Sequence, residues 1–169
     1  SQQLLSGIAE LGILSVPPIH QNNFDVLFRR KEKIVCVTAE NSIFLKGTTA
    51  PTLEELAEYP LCLSTGCHLM MSKIFAEKSI RPQVLSICTT RTTALRWAED
   101  DCGVSIVPME PKEKLPEGLI AKAITGVDTD LYKTVVRVKG RPLSVVAKKF
   151  LQFYSDVRDS ERMIKIKDL

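Results

Sequence analysis

Residues 60–108 read PLCLSTGCHLMMSKIFAEKSIRPQVLSICTTRTTALRWAEDDCGVSIVP, and the alternation inside this stretch decides the fold class. Three short apolar runs, PLCLS (60–64), QVLSIC (83–88) and VSIVP (104–108), have strand character, and Leu61-Cys62-Leu63 in the first suits a buried strand. Between the first two, Cys67, Met70, Met71, Ile74 and Phe75 recur at i, i+3, i+4, i+7 and i+8, the stripe of an amphipathic helix. Between the second and third, Ala94, Leu95, Ala98 and Cys102 form another stripe behind the polar opening Thr89-Thr90-Arg91-Thr92. Strand, helix, strand, helix, strand implies a right-handed βαβαβ unit on a parallel sheet, so the chain is expected to be an α/β protein.

Two polar turns, Ser64-Thr65-Gly66 and Thr89-Thr90, fall where strands hand over to helices. Ligands of parallel sheets gather outside the carboxyl ends of the strands. The first turn of a helix carries unpaired N–H groups and the positive end of the dipole, which suits an anion. Thr65 and Thr89 or Thr90 equally suit simple N-caps, and one helix end has N–H groups enough for both roles.

Working outward, LGIL (11–14), KIVCVT (33–38) and YKTVVRV (132–138) have strand character. Leu53, Leu56 and Ala57 suggest a short helix, with Thr52 as N-cap and Glu55 completing a capping box. Leu143, Val146, Ala147, Phe150, Leu151 and Tyr154 form the longest stripe, with Pro142 near the first turn, where its missing N–H costs nothing.

At 169 residues, 44% hydrophobic and 25% charged, the chain has ordinary globular usage and length for one large domain or two small ones. No apolar run is long enough to span a membrane, and the N-terminal SQQLLSGIAELGILS lacks the basic start of a secretory signal. A net charge of +3 is mild, and Arg29-Arg30-Lys31 and Lys165-Ile166-Lys167 read as solvated surface rather than a nucleic-acid face. The five cysteines form no CxxC pair and there are only two histidines, so no metal site is expected. Cys36, Cys62, Cys88 and Cys102 sit in or beside apolar stripes as small hydrophobes, which fits a reducing cytoplasm. Neither GxGxxG, a P-loop nor GxSxG occurs, so nucleotide cofactors and a serine nucleophile have no support.

Taken in order, LLSGIAELGILSVPP (4–18), TLEELAEYPLCLSTG (52–66), TTRTTALRWAEDDCGVSIVP (89–108) and RPLSVVAKKFLQFYSDV (141–157) resemble the effector-binding domain of a LysR-type transcriptional regulator. The resemblance covers almost the whole chain. It implies a type II periplasmic-binding-protein-like fold, two Rossmann-like subdomains with a ligand cleft between them. Residues 31–130 would form one subdomain, and residues 1–30 plus 131–169 would form an incomplete other one. It implies a small polar or anionic effector held by Ser15, Ser64, Thr65, Gly66, Cys67, Thr89 and Thr90, with no cofactor and no catalysis. It implies a homo-oligomer, with DNA reached only through a helix-turn-helix domain outside this chain and no membrane partner. In the family a strand, helix and strand precede the point where this chain starts, so the chain is expected to be a fragment. Many members carry Arg four residues after the glycine of the strand–helix turn, where this chain has Met70.

Three rivals share parts of this reading. A thiol-based redox sensor would use Cys67, in the first turn of its helix, where the dipole lowers a thiol pKa. A cysteine-dependent enzyme would pair Cys67 with His68 or His20. A stand-alone solute-binding protein would share the fold.

Overall fold

The computed structural model describes residues 2–15, 21–156 and 164–165; His20 and the basic end at Ile166-Lys167 lie outside them. The elements in chain order are α1 (Gln2–Leu5), β1 (Gly12–Leu14), a 3-10 turn (Gln21–Asn23), β2 (Phe24–Ala39), α2 (Leu53–Ala57), β3 (Pro60–Ser64) and α3 (Thr65–Glu77). They continue with β4 (Gln83–Cys88), α4 (Arg91–Glu99), β5 (Val104–Met109), β6 (Leu119–Ala123), β7 (Asp130–Val138), α5 (Val145–Asp156) and β8 (Ile164–Lys165). The chain divides into two compact units, Ser1–Lys31 with Tyr132–Leu169, and Glu32–Leu131.

In the second unit the sheet order is β6-β2-β5-β3-β4. β3 runs parallel to both β4 and β5, while β2 runs antiparallel to β5 and β6. The three apolar runs of 60–108 are therefore parallel neighbours with β3 in the middle. Because β4 lies on one side of β3 and β5 on the other, right-handed crossovers put α3 and α4 on opposite faces. Cys67, Met71 and Phe75 of the α3 stripe are buried, and Ala94, Leu95 and Ala98 of α4 pack with Val37, Cys88, Val107 and Leu119. Gly103 turns α4 into β5 so close to β3 that a Cβ there would stand 2.6 Å from the Pro60 carbonyl oxygen. The Thr52 capping box forms as read: Thr52 N–H donates to Glu55 Oε2 at 2.8 Å and Glu55 N–H to Thr52 Oγ1 at 3.3 Å.

In the first unit β1 is antiparallel to β7, β7 neighbours β2, and β8 pairs with β2 at Phe28 and Arg29. Leu4, Phe24 and Val136 form its buried cluster. Asp25, 6% exposed, accepts from Arg137 Nε at 3.0 Å, a charge pair that lets a carboxylate sit in a strand.

Several expectations need correction. β2 extends back to Phe24, well beyond KIVCVT, because Asp25 and Arg29 are satisfied by Arg137 and by the Tyr132 ring, 3.5 Å from the Arg29 guanidinium carbon. β6 was not foreseen, since LIAKA holds Ala and Lys, which are depleted in strands. Cys102 is exposed in the turn after α4 rather than part of its buried stripe. Pro142 precedes α5 altogether; Ser144 caps that helix, its Oγ accepting the Ala147 N–H at 3.1 Å. Of the α5 stripe only Ala147 is buried, whereas Val146 is 77% exposed and Phe150 42%.

Candidate functional site

The carboxyl edge of β3 and β4 carries both polar turns. Ser64 and Cys88 are in register across the parallel pair, α3 begins at Thr65, and α4 begins at Arg91. Thr65 Oγ1 donates to the Thr89 carbonyl at 3.1 Å, which ties one turn to the other. Ser64, Thr65, Gly66, Cys67, Thr89 and Thr90 thus share one edge. Ser15 follows β1 in the other unit.

The two helix starts differ in what they leave open. Thr90 is the N-cap of α4, its Oγ1 accepting the Thr93 N–H at 3.1 Å and lying 2.9 Å from Thr93 Oγ1. Ser64 is the N-cap of α3 but makes no side-chain cap; it is buried, with Oγ 3.5 Å from Cys67 Sγ. The first-turn N–H groups of α3 have no intrahelical acceptor and no capping oxygen. Thr65 and Thr89 are exposed at the surface of this edge and Gly66 is half-buried. Among the described residues the Thr89 hydroxyl has no partner. What the edge presents to a ligand is therefore backbone N–H, the Thr89 hydroxyl and the lone pairs of Thr65.

The Cys67 side chain points inward. Its thiol is fully buried and lies 3.4 Å from the Ser64 carbonyl and 3.2 Å from that of Ile106. Burial pushes its pKa up from 9.0 to about 11, against the smaller lowering by its hydrogen bonds to Ser64. A reactive thiolate is disfavoured there.

Arg91 was overlooked as a contributor to this edge. At the first position of α4 its Nη1 pairs with Glu113 Oε1, while its Nε is buried without a partner among the described residues. Glu113 also accepts the Glu110 N–H at 2.9 Å, so the pair anchors the Thr89-Thr90 turn to the chain after β5. The signal was present in TTRTT, where the charge directly follows the cap. Met70, in the position where family members carry Arg, is half-buried on the helix. Two cavities of this unit lie elsewhere: about 250 Å³ between residues 38–47 and β6, and about 650 Å³ around Phe75, Ile80 and Val84. Among the described residues there is no metal-ligating cluster, and no helix is long and apolar enough to cross a membrane.

The sequence pattern of the LysR substrate binding domain matches residues 1–159. No curated protein matches the chain. Among solved structures, the effector binding domain of QuiR in complex with shikimate superposes with a TM-score of 0.74 at 21% identity, over 95% of this chain and 77% of that one. The regulatory domain of CcmR from Synechocystis PCC6803, in complex with 2-PG, gives 0.76 at 15% identity, over 95% and 78%. CbnR, a LysR family transcriptional regulator, gives 0.69 at 17% identity over 89% of this chain, which spans 53% of CbnR.

Proposed function

The chain belongs to the LysR substrate-binding domain family, and on that premise we propose that it senses a small polar or anionic effector at the carboxyl edge of β3 and β4. The observation that carries this reading is the Thr65–Thr89 bridge beside an uncapped α3. It gathers N–H donors, the helix dipole and a hydroxyl without a partner among the described residues at one point. Met70 supplies no charge, so the edge neutralises an anion through N–H groups and the dipole rather than through a side-chain cation.

Signalling then follows from linkage. An effector that binds one arrangement of the regulator better shifts the population by its differential affinity. In a homo-oligomeric, cytoplasmic regulator, that shift reaches DNA through a helix-turn-helix domain outside this chain. Binding and release require no bond to break, so the reading is a sensor rather than an enzyme. The buried, proton-retaining Cys67 argues against the thiol-sensing alternative.

A thermal-shift screen of small metabolic anions finds the ligand, because specific binding raises stability by mass action. Calorimetry with that ligand then compares wild type with Thr89→Val, which removes only the open hydroxyl. The expected loss is about 1.5–3 kcal/mol, the worth of a hydrogen bond to a charged group. Unchanged affinity in both Thr89→Val and Thr65→Val removes this edge from the site.

A further inference from the structure

At the other end of the same sheet, the cavity of about 250 Å³ is lined by Thr38, Glu40, Phe44, Lys46, Ile120 and Lys122, among others. Val37 lies opposite Ser105 near the start of β5, so Thr38 stands at the amino edge of the parallel strands, whereas Thr65 and Thr89 stand at the carboxyl edge. Cross-strand pairing sets Thr38 opposite Ile120 and Cys36 opposite Lys122. These four side chains therefore share a face, away from the α4 cluster that takes Val37 and Leu119.

Four observations make this cavity more than a packing gap. Thr38 is 1% exposed and its Oγ1 has no hydrogen-bond partner among the described residues, an expensive state for a buried hydroxyl. Lys122 Nζ donates to the Leu45 carbonyl at 2.7 Å and has no carboxylate partner among the described residues. Lys46 makes no hydrogen bond or ion pair among them either. Leu45 is held in the left-handed region at φ 53 with its side chain buried, so the 44–47 loop is pinned across the cavity by the Lys122 contact.

We infer that this cavity is a second binding site, independent of the effector edge, for a small carboxylate-bearing compound. Its carboxylate would meet Lys46 and Lys122, Thr38 Oγ1 would donate to it, and its short apolar body would lie against Phe44 and Ile120. Glu40 also lines the cavity, so an ammonium group on the same ligand would find an acceptor. The size suits a small metabolite, since drug-sized ligand pockets begin at about 300 Å³.

The test titrates the full chain with butyrate, and in a parallel arm with 2-aminobutyrate, while amide NMR shifts are followed. Shifts concentrated in residues 38–47 and 119–123 in either arm support the site, and the stronger arm tells whether Glu40 takes part. Lys46→Gln, which disturbs no internal contact, is expected to weaken binding about tenfold or more, the loss of one charge-assisted contact. Thr65→Val is expected to leave it unchanged, which separates this site from the effector edge. Absence of shifts there with both compounds overturns the inference, as do shifts indifferent to both Lys46→Gln and Lys122→Met.

Discussion

The starts of α3 and α4 follow parallel neighbouring strands and have the same kind of residues, yet they end in different states. Both N-caps have extended backbones, Ser64 at φ −77, ψ 147 and Thr90 at φ −124, ψ 155. Thr90 turns its hydroxyl onto its own helix. Ser64 closes a strand buried from Leu61 onward, so its hydroxyl is buried beside Cys67, and the next hydroxyl, Thr65, reaches across to Thr89 instead of capping. One end satisfies a donor internally, and the other has no side-chain cap for its donors. A hydroxyl at a helix start is thus no sign of capping until the burial of the residue that carries it is known.

The comparison implies that α3 is held by its packing rather than by its cap. Phe75→Ala, at a side chain 2% exposed, is expected to cost about 3–5 kcal/mol in denaturant unfolding. A loss below 1 kcal/mol would show that packing does not anchor the helix. Next in size is the reactivity of Cys67. A thiol raised from 9.0 to about 11 holds roughly a hundredfold less thiolate at neutral pH. A thiol reagent is therefore expected to label exposed Cys102 first and leave Cys67 unmodified in the folded protein. Rapid labelling of Cys67 in a Cys102→Ser background would reopen the redox reading.

The same raised pKa has a consequence in alkali. Between about pH 9 and 11 the unfolded chain gives up the Cys67 proton while the folded chain keeps it, so stability falls as pH rises through that window. Cys67→Ala is expected to make that fall shallower, measured as urea midpoints at pH 8 and pH 10.

The caps come last. Thr90→Ala is expected to cost about 1 kcal/mol, and Ser64→Ala, which removes no cap bond, only a few tenths. Equal losses at both positions would erase the distinction between the two helix starts.

Much of this was legible in the chain of letters. The periodicity of residues 60–108 placed three strands and two helices, because apolar spacing is local and the chain obeys it wherever one face is buried. The Thr52–Glu55 capping box was legible for the same reason, since its partners are three residues apart. The extension of β2 through FDVLFRRKE was not, because Asp25 and Arg29 are made acceptable in a strand by Arg137 and Tyr132, more than a hundred residues away. Nor was the inward turn of Cys67, whose place in the first helical turn suggested a low pKa until burial raised it. Sequence alone determined which strand and helix ends meet at the edge of the sheet, because strand and helix order follow from local pattern. Tertiary structure decided which of their donors are spent and which stay open, and it made a cavity from Thr38, Lys46 and Lys122. Hydrogen-bond satisfaction depends on partners brought together only when the sheet has formed.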